Sequence, residues 1–418
     1  MSAIRLPSLN TQIVLGASAG IGLGYAFRLT PDSNFSGNGL FVCGLIGGLF
    51  VDLLKMVLIP LIFTSIATGI ANLRAHASMH RVWQCTLVYF LTATALATLL
   101  GLLSANIFAP GAGIEVTLFQ QSMEHFDPSH LSLEEFFTHL LRGLFMNPVA
   151  AMAQGEVLPT VMFALLVGIG FVVSGENSQH LLTLLTELLH IVMLLVSWIM
   201  KLAPLGILGL LAKLTATQNP ALFTGLGKFI AVVVGSTLAH GIIVLPLLLY
   251  LVTGVGPRRF FRGSREALTT ALATCSSSAT LPITMRCTEI QLGVSKDIAR
   301  FVPPLGATLN MDGTALYEAA AALFVADLTG AELSLAQQVV VCFTAIIASI
   351  GAPGIPSAGM VTMVMVLQSV GLPAEAVAIL LPIDRLLDTV RTMVNVEGDM
   401  IGSLIVQRLA ANPDKNTS

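Results

Sequence analysis

The sequence predicts an all-α protein that crosses a lipid bilayer many times. Three observations predict this class. The apolar share is 55% and the charged share 10%, against about 45–50% and about 25% in soluble domains. Mean hydropathy is +0.86. Apolar runs near the roughly 20 residues needed to span a bilayer recur along the chain, without the alternation that barrel strands show.

In order, the runs lie around Leu9–Phe27, Leu40–Leu73, Val82–Phe108, Leu158–Val173, Leu182–Leu211 and Phe223–Val252. The opening MSAIRLPSLN leads into the first run without a small-residue cleavage pattern, so it reads as a helix start rather than a removable leader. Lys and Arg collect on the cytoplasmic side of membrane proteins. Arg5, then Arg74 and Arg81, then the four arginines of GPRRFFRGSR share that side if even numbers of crossings separate them. The polar segment 110–147 then faces outside. A net charge of −3 says nothing about nucleic acid, and there is no basic tail to suggest it. Cys43, Cys85, Cys275, Cys287 and Cys342 lie in or beside apolar runs with no CxxC pairing. They read as small buried residues rather than a disulfide framework or a metal site.

Near residue 257 the chain changes character. Four polar islands follow: TCSSSATLP (274–282), NMDGT (310–314), GAPGIPSAG (351–359) and DRLLDTVRTMVNVEGD (384–399). The first and third are Ser/Gly/Pro-rich and interrupt apolar runs as re-entrant hairpin tips do; a kinked helix is the plainer alternative. The second and fourth place Asp and Asn inside apolar helices. Matched interruptions of this kind point to an inverted repeat with its binding site near the bilayer midplane.

An acid at membrane depth is costly unless it is partnered, which makes Asp312 a functional candidate. Asn310, Asp312 and Thr314 beside loosened backbone offer the oxygens that hard cations take. Glu318, one turn beyond Thr314, is a second buried acid able to hold a proton. At about 100° per residue, Asp384, Asp388, Arg391, Thr392, Asn395 and Asp399 share one face, with Arg385 at its edge and Glu397 pointing away. The planar fork of Arg391 suits a carboxylate. Asp388 suits an ammonium, and Asp399 a cation. Together they can bracket an amino acid. Zinc chemistry lacks a His/Cys ligand cluster in this part of the chain, and no phosphate loop points to ATP.

The motifs SSSATLPIT, PLGATLNMDGTALYE, SIGAPGIPSAG and LDTVRTMVNVEGD resemble those of the dicarboxylate/amino acid:cation symporter family, the glutamate/aspartate transporters. The likeness extends upstream through LLKMVLIPLIF and NPVAAMAQGEVLP. The resemblance implies eight transmembrane helices plus two re-entrant helical hairpins, built as inverted repeats. Residues 1–73 would hold scaffold helices 1 and 2, 74–109 transport-domain helix 3, and 110–217 scaffold helices 4 and 5 with the extracellular segment. Residues 218–256 would form helix 6, 257–328 the first hairpin and helix 7, 329–409 the second hairpin and helix 8, and 410–418 a cytoplasmic tail. It implies a homotrimer in the cell inner membrane, a small amino acid as substrate, lipid around it, and an elevator movement of the transport domain.

For the site, the resemblance implies that Arg391 binds the substrate side-chain carboxylate and Asp388 its amine. Thr392, Asn395, Thr314, Ser277, Ile355 and Gly359 complete that pocket. One Na⁺ would use Asp399, Asn395, Gly306 and Asn310. A second would use Thr308, Ser349, Ile350 and Ala352 beside Met311. A third would use Asp312 and Asn310 with Tyr89 and Thr94. Glu318 matches the animal members' residue for H⁺ or K⁺ coupling. Departures stand beside the match: Cys275 and Thr389 occupy positions where relatives carry an Arg, Ala93 replaces a hydroxyl residue, and Glu397 is unusual. Arg385 is the substitute at hand for the missing Arg.

The function expected is therefore Na⁺-coupled uptake of aspartate or glutamate by a protein that is not an enzyme. A proton-coupled C4-dicarboxylate carrier or a neutral amino acid symporter of the same fold is the alternative. A substrate without an amine, however, would leave Asp388 unpaired. A channel is a second class, and saturable counterflow separates the two. An intramembrane protease would place its two aspartates on facing helices, whereas Asp384 and Asp388 share one.

Overall fold

The computed structural model describes residues 9–71, 80–114, 145–217, 220–351, 354 and 358–410. Among them the chain is helical, with turns and no strand. It begins with α1 (Leu9–Leu29), α2 (Asn34–Ala71) and α3 (His80–Phe108). After the short α4 (Pro148–Gln154) come α5 (Val157–Ser174), α6 (Gln179–Lys201) and α7 (Ala203–Thr217). The stretches 34–71, 81–108, 159–201 and 221–253 are each long and apolar enough to cross a membrane.

One expected span is divided. The run Leu182–Leu211 ends as α6 at Lys201 and restarts as α7 at Ala203. Pro204 has no N–H for the helix ladder and is accommodated most readily in a first turn, which it occupies in α7. Conversely, α5 passes into α6 through a single tight turn at Gly175–Ser178.

The apolar pattern explains how α6 sits. Leu185, Val192, Val196 and Ile199 are buried, whereas Leu181, Leu184, Leu188, Ile191, Leu194 and Trp198 are exposed. Spacings of three and four residues give each set its own face. An outward apolar stripe of this length has lipid as its natural solvent. α1 packs along α7, and α2 packs against α5, α6 and α7. In the α1–α7 seam a methyl on Gly20 would stand 2.6 Å from the Leu208 carbonyl oxygen, so backbones meet there as small residues allow in membranes.

The remaining helices form a second group. α8 (Ala221–Ala239) runs through a π-turn at His240–Val244 into α9 (Leu245–Thr253). α10 (Pro257–Thr274) and α11 (Ser277–Arg286) make a hairpin turned at Cys275, whose φ of 51° is left-handed. After the short α12 (Lys296–Ala299) come α13 (Val302–Leu309), α14 (Asp312–Thr329), α15 (Leu335–Gly351), α16 (Ala358–Ser369) and α17 (Val377–Ala410). α3 lies on α14, and α17 packs against α3, α10, α13 and α14.

The island at 310–314 differs from expectation. It does not continue a helix: Asn310 (φ −122°, ψ 89°) and Met311 (φ −123°, ψ 59°) are non-helical, and α14 begins at Asp312. A helix start leaves N–H groups without intrahelical partners. Here the Gly313 N–H donates to Asn395 Oδ1 at 2.8 Å, so α17 satisfies the break. α17 itself continues unbroken for 34 residues through Pro382.

The two groups touch where α2 meets α15 and α16 and where α7 meets α17. At that seam Lys55 Nζ lies 2.6 Å from Glu375 Oε1.

Candidate functional site

The site grows from the fourth face of polar residues, on α17. Arg391, 1% exposed, donates through Nη2 to Asp384 Oδ1 at 2.7 Å and to Asp388 Oδ1 at 3.1 Å. Its guanidinium carbon stands 4.1 Å from the centre of the Tyr317 ring, a cation–π contact. Among the described residues its Nε and Nη1 have no hydrogen-bond partner. Burial of unmet donors on a charged group costs free energy, so the arrangement is suited to an incoming acceptor.

The neighbours of that opening are drawn from three elements. A methyl on Gly359 would stand 2.9 Å from Thr314 Cγ2 and 3.5 Å from Arg391 Nη1, which puts the start of α16 beside both. Asn395 Nδ2 donates to Thr314 Oγ1 at 3.3 Å, and Thr392 Oγ1 to Asp388 Oδ1 at 3.4 Å. Arg385 Nη1 is 3.6 Å from Asp388 Oδ2 and is the less buried of the two arginines. The hairpin tips meet close by. The Gly354 carbonyl accepts from Ser276 Oγ at 2.7 Å and from the Ser278 N–H at 3.1 Å. Ser277, buried between them in sequence, opens α11. Ile355 and Ala352 lie outside the described residues.

Two of the three expected cation sets have members in contact. Asn310 Nδ2 donates to Asp399 Oδ1 at 3.0 Å, and Gly306 abuts the Asp399 carboxylate so closely that it has no room for a methyl. Thr94 Oγ1 donates to Asp312 Oδ1 at 2.7 Å. Tyr89, assigned to the same set, instead donates to the Gly398 carbonyl at 3.2 Å. Ala93 is fully buried and brings no oxygen of its own. In the remaining set Thr308 and Ser349 hydroxyls donate to carbonyls of their own helices, at Leu305 and Ile346. Met311 is buried and Ile350 half-buried. α13, which carries Thr308, and α15, which carries Ser349 and Ile350, are packed together. Glu318 accepts from Thr362 Oγ1, and its second oxygen has no partner among the described residues.

Sequence reasoning did not assign Asp384, Tyr317, Thr362 or His240 to the site. Asp384 shares the polar face of α17, so spacing alone placed it within reach. Tyr317 and Thr362 carry no signal apart from neighbouring the site. His240 sits in an apolar run, and its Nε2 lies 3.3 Å from Asp312 Oδ2. Among the described residues, no three His, Cys, Asp or Glu side chains converge as a metal-ion cluster.

Known proteins bear on this geometry. The profile of the "Sodium:dicarboxylate symporter family" matches residues 9–409. "Excitatory amino acid transporter 3" of Mus musculus is 37% identical, the match covering 96% of this chain and 86% of that protein. "Neutral amino acid transporter A" of Homo sapiens is 33% identical, covering 97% and 82%. "Neutral amino acid transporter B(0)" of Rattus norvegicus is 34% identical, covering 97% and 81%. The protein is thus a multi-pass membrane transporter and not an enzyme. With a match across nearly its whole length and a site of this composition, the chain belongs to the sodium:dicarboxylate symporter family.

Proposed function

We propose that the protein couples the inward movement of Na⁺ to uptake of an acidic amino acid, aspartate or glutamate. The observation that carries this reading is Arg391: a buried guanidinium, held at one nitrogen by Asp384 and Asp388, with Nε and Nη1 unmet beside Thr314 and Gly359. A substrate side-chain carboxylate is the natural charged acceptor for the unmet Nη1 that faces Gly359. Asp388 takes the substrate amine, and Thr392, Asn395, Thr314, Ser277, Ile355 and Gly359 line the rest. A neutral amino acid would leave the two donors unmet, so that alternative is not favoured. A C4-dicarboxylate would leave Asp388 without an amine.

Na⁺ is cargo here, and the acids facing it are those already described. Asp399 with Asn310, Asn395 and Gly306 forms one position, and Asp312 with Thr94, Asn310 and Tyr89 another. Carbonyls of Thr308, Ser349, Ile350 and Ala352 beside Met311 form the third. Glu318 is the residue for H⁺ or K⁺ coupling. Bound cation and substrate drive transport only through different affinities for the two access states.

The movement is an elevator. α1, α2 and α4–α7 form the scaffold, and the other helices form the moving body; the limited contact between the groups supports this division. Three copies assemble in the cell inner membrane. The test is uptake of labelled aspartate into proteoliposomes. Uptake should rise steeply with an inward Na⁺ gradient and saturate, and equal uptake without the gradient would sink the proposal.

A further inference from the structure

One deeply buried acid has no part in the mechanism above. Glu397 is 2% exposed and points away from the Arg391 face of α17. Its carboxylate lies against the π-turn: a methyl on Gly241 would stand 2.9 Å from Glu397 Oε2 and 3.0 Å from Val394 Cγ2. Glycine at this position leaves space for the carboxylate. Among the described residues, Glu397 Oε1 has no hydrogen-bond partner.

The residues next to Glu397 and to the glycine it abuts lie around Asp312. His240, the residue before Gly241, contacts Asp312 Oδ2. On the other side, a methyl on Gly398 would stand 2.7 Å from Asn310 Nδ2 and 3.4 Å from Asp312 Oδ2. Asn310 Oδ1 is also buried without a partner among the described residues. So α14, α17 and the π-turn bring a second carboxylate to the flank of Asp312, together with unmet oxygens from Glu397 and Asn310. An isolated buried carboxylate oxygen is costly, and hard cations are bound by such oxygens. π-turns also recur where a helix is re-aimed at a functional site.

We propose that Glu397 lends its free oxygen to the alkali cation held at Asp312 and Asn310. The site then carries one more carboxylate than Asp312, Asn310, Tyr89 and Thr94 supply. Glu397 thereby sets the affinity of the protein for Na⁺ without touching the amino acid. The inference rests on the reading of Asp312 as a cation ligand.

The test uses the full chain in lipid nanodiscs, with Na⁺ titrated against thermal unfolding in the absence of substrate. Glu397→Gln should raise the half-saturating Na⁺ concentration about tenfold to a hundredfold, with aspartate affinity at saturating Na⁺ unchanged. Gly241→Ala, which displaces the carboxylate, should shift Na⁺ in the same direction and carries the test if Glu397→Gln fails to fold. A wild-type Na⁺ response in the folded variants overturns the role of Glu397 alone. A wild-type protein that ignores Na⁺ overturns the underlying cation reading. A parallel loss of aspartate affinity at saturating Na⁺ overturns the claim that Glu397 acts on the ion only.

Discussion

Arg391 Nη2 and Asp384 Oδ1 stand 2.7 Å apart, two turns from each other along α17, with both side chains shut off from solvent. The bond holds one end of the guanidinium and turns the other toward α16. Breaking a buried pair by removing one partner costs about 3–5 kcal/mol, because the other charge is left uncompensated. Asp384 therefore positions the arginine proposed to receive the substrate.

Replacing Asp384 by Asn should lower the melting temperature of the purified protein and weaken aspartate binding by about tenfold or more. Isothermal titration alongside a thermal scan reads both. Unchanged binding would show that Asp384 has only a structural role.

Arg391→Gln removes the unmet donors themselves. Aspartate uptake should fall by about a hundredfold or more, while Na⁺-dependent thermal protection persists because the cation sets do not contain Arg391. Retained aspartate binding in this variant would refute the carboxylate clamp.

Arg385 shares Asp388 at 3.6 Å and is partly exposed, so its effect should be smaller. With Arg385→Met, Asp388 attracts an ammonium more strongly and repels a second carboxylate more strongly. The preference for aspartate over succinate should rise by about threefold to fivefold, measured as the ratio of inhibition constants. A fall in that ratio would exclude Arg385 as a partner of the pocket.

Lys55 and Glu375 join the two helix groups through a partly exposed ion pair. Such a pair contributes about 0–1 kcal/mol, or up to about fivefold in a two-state ratio. Lys55→Met and Glu375→Gln should each change the transport rate by no more than this, and in the same direction. The charge-swapped double variant should restore the wild-type rate; a rate as altered as in the single variants would exclude a direct interaction.

Much of the site was legible because one rule, about 100° per residue, collects Asp384, Asp388, Arg391 and Asn395 on a face. The rule does not say which acid lies nearer the arginine, since side-chain packing decides that. The break at Asn310–Met311 was hidden for another reason. No Pro or Gly marks those two residues, and the group that completes the helix start is Asn395, 82 positions away. His240 was invisible because a five-residue π-turn alters the direction of side chains without altering apolar composition. The division of the run 182–211 was marked by Pro204, but hydropathy alone passes over it.

Gly354 offers one carbonyl oxygen, and Ser276 and Ser278 occupy it from two directions. The loops are therefore interlocked. Parting them strands the Ser276 hydroxyl and the Ser278 N–H on the first loop and the Gly354 carbonyl on the second until water reaches them, at about 1–3 kcal/mol for each group left dry. The connection also tolerates no padding: a methyl on Gly354 would press within 2.6 Å of the Ala307 carbonyl oxygen and of Ser278 Oγ. A one-carbon enlargement there would press the two tips apart at the point where they are joined.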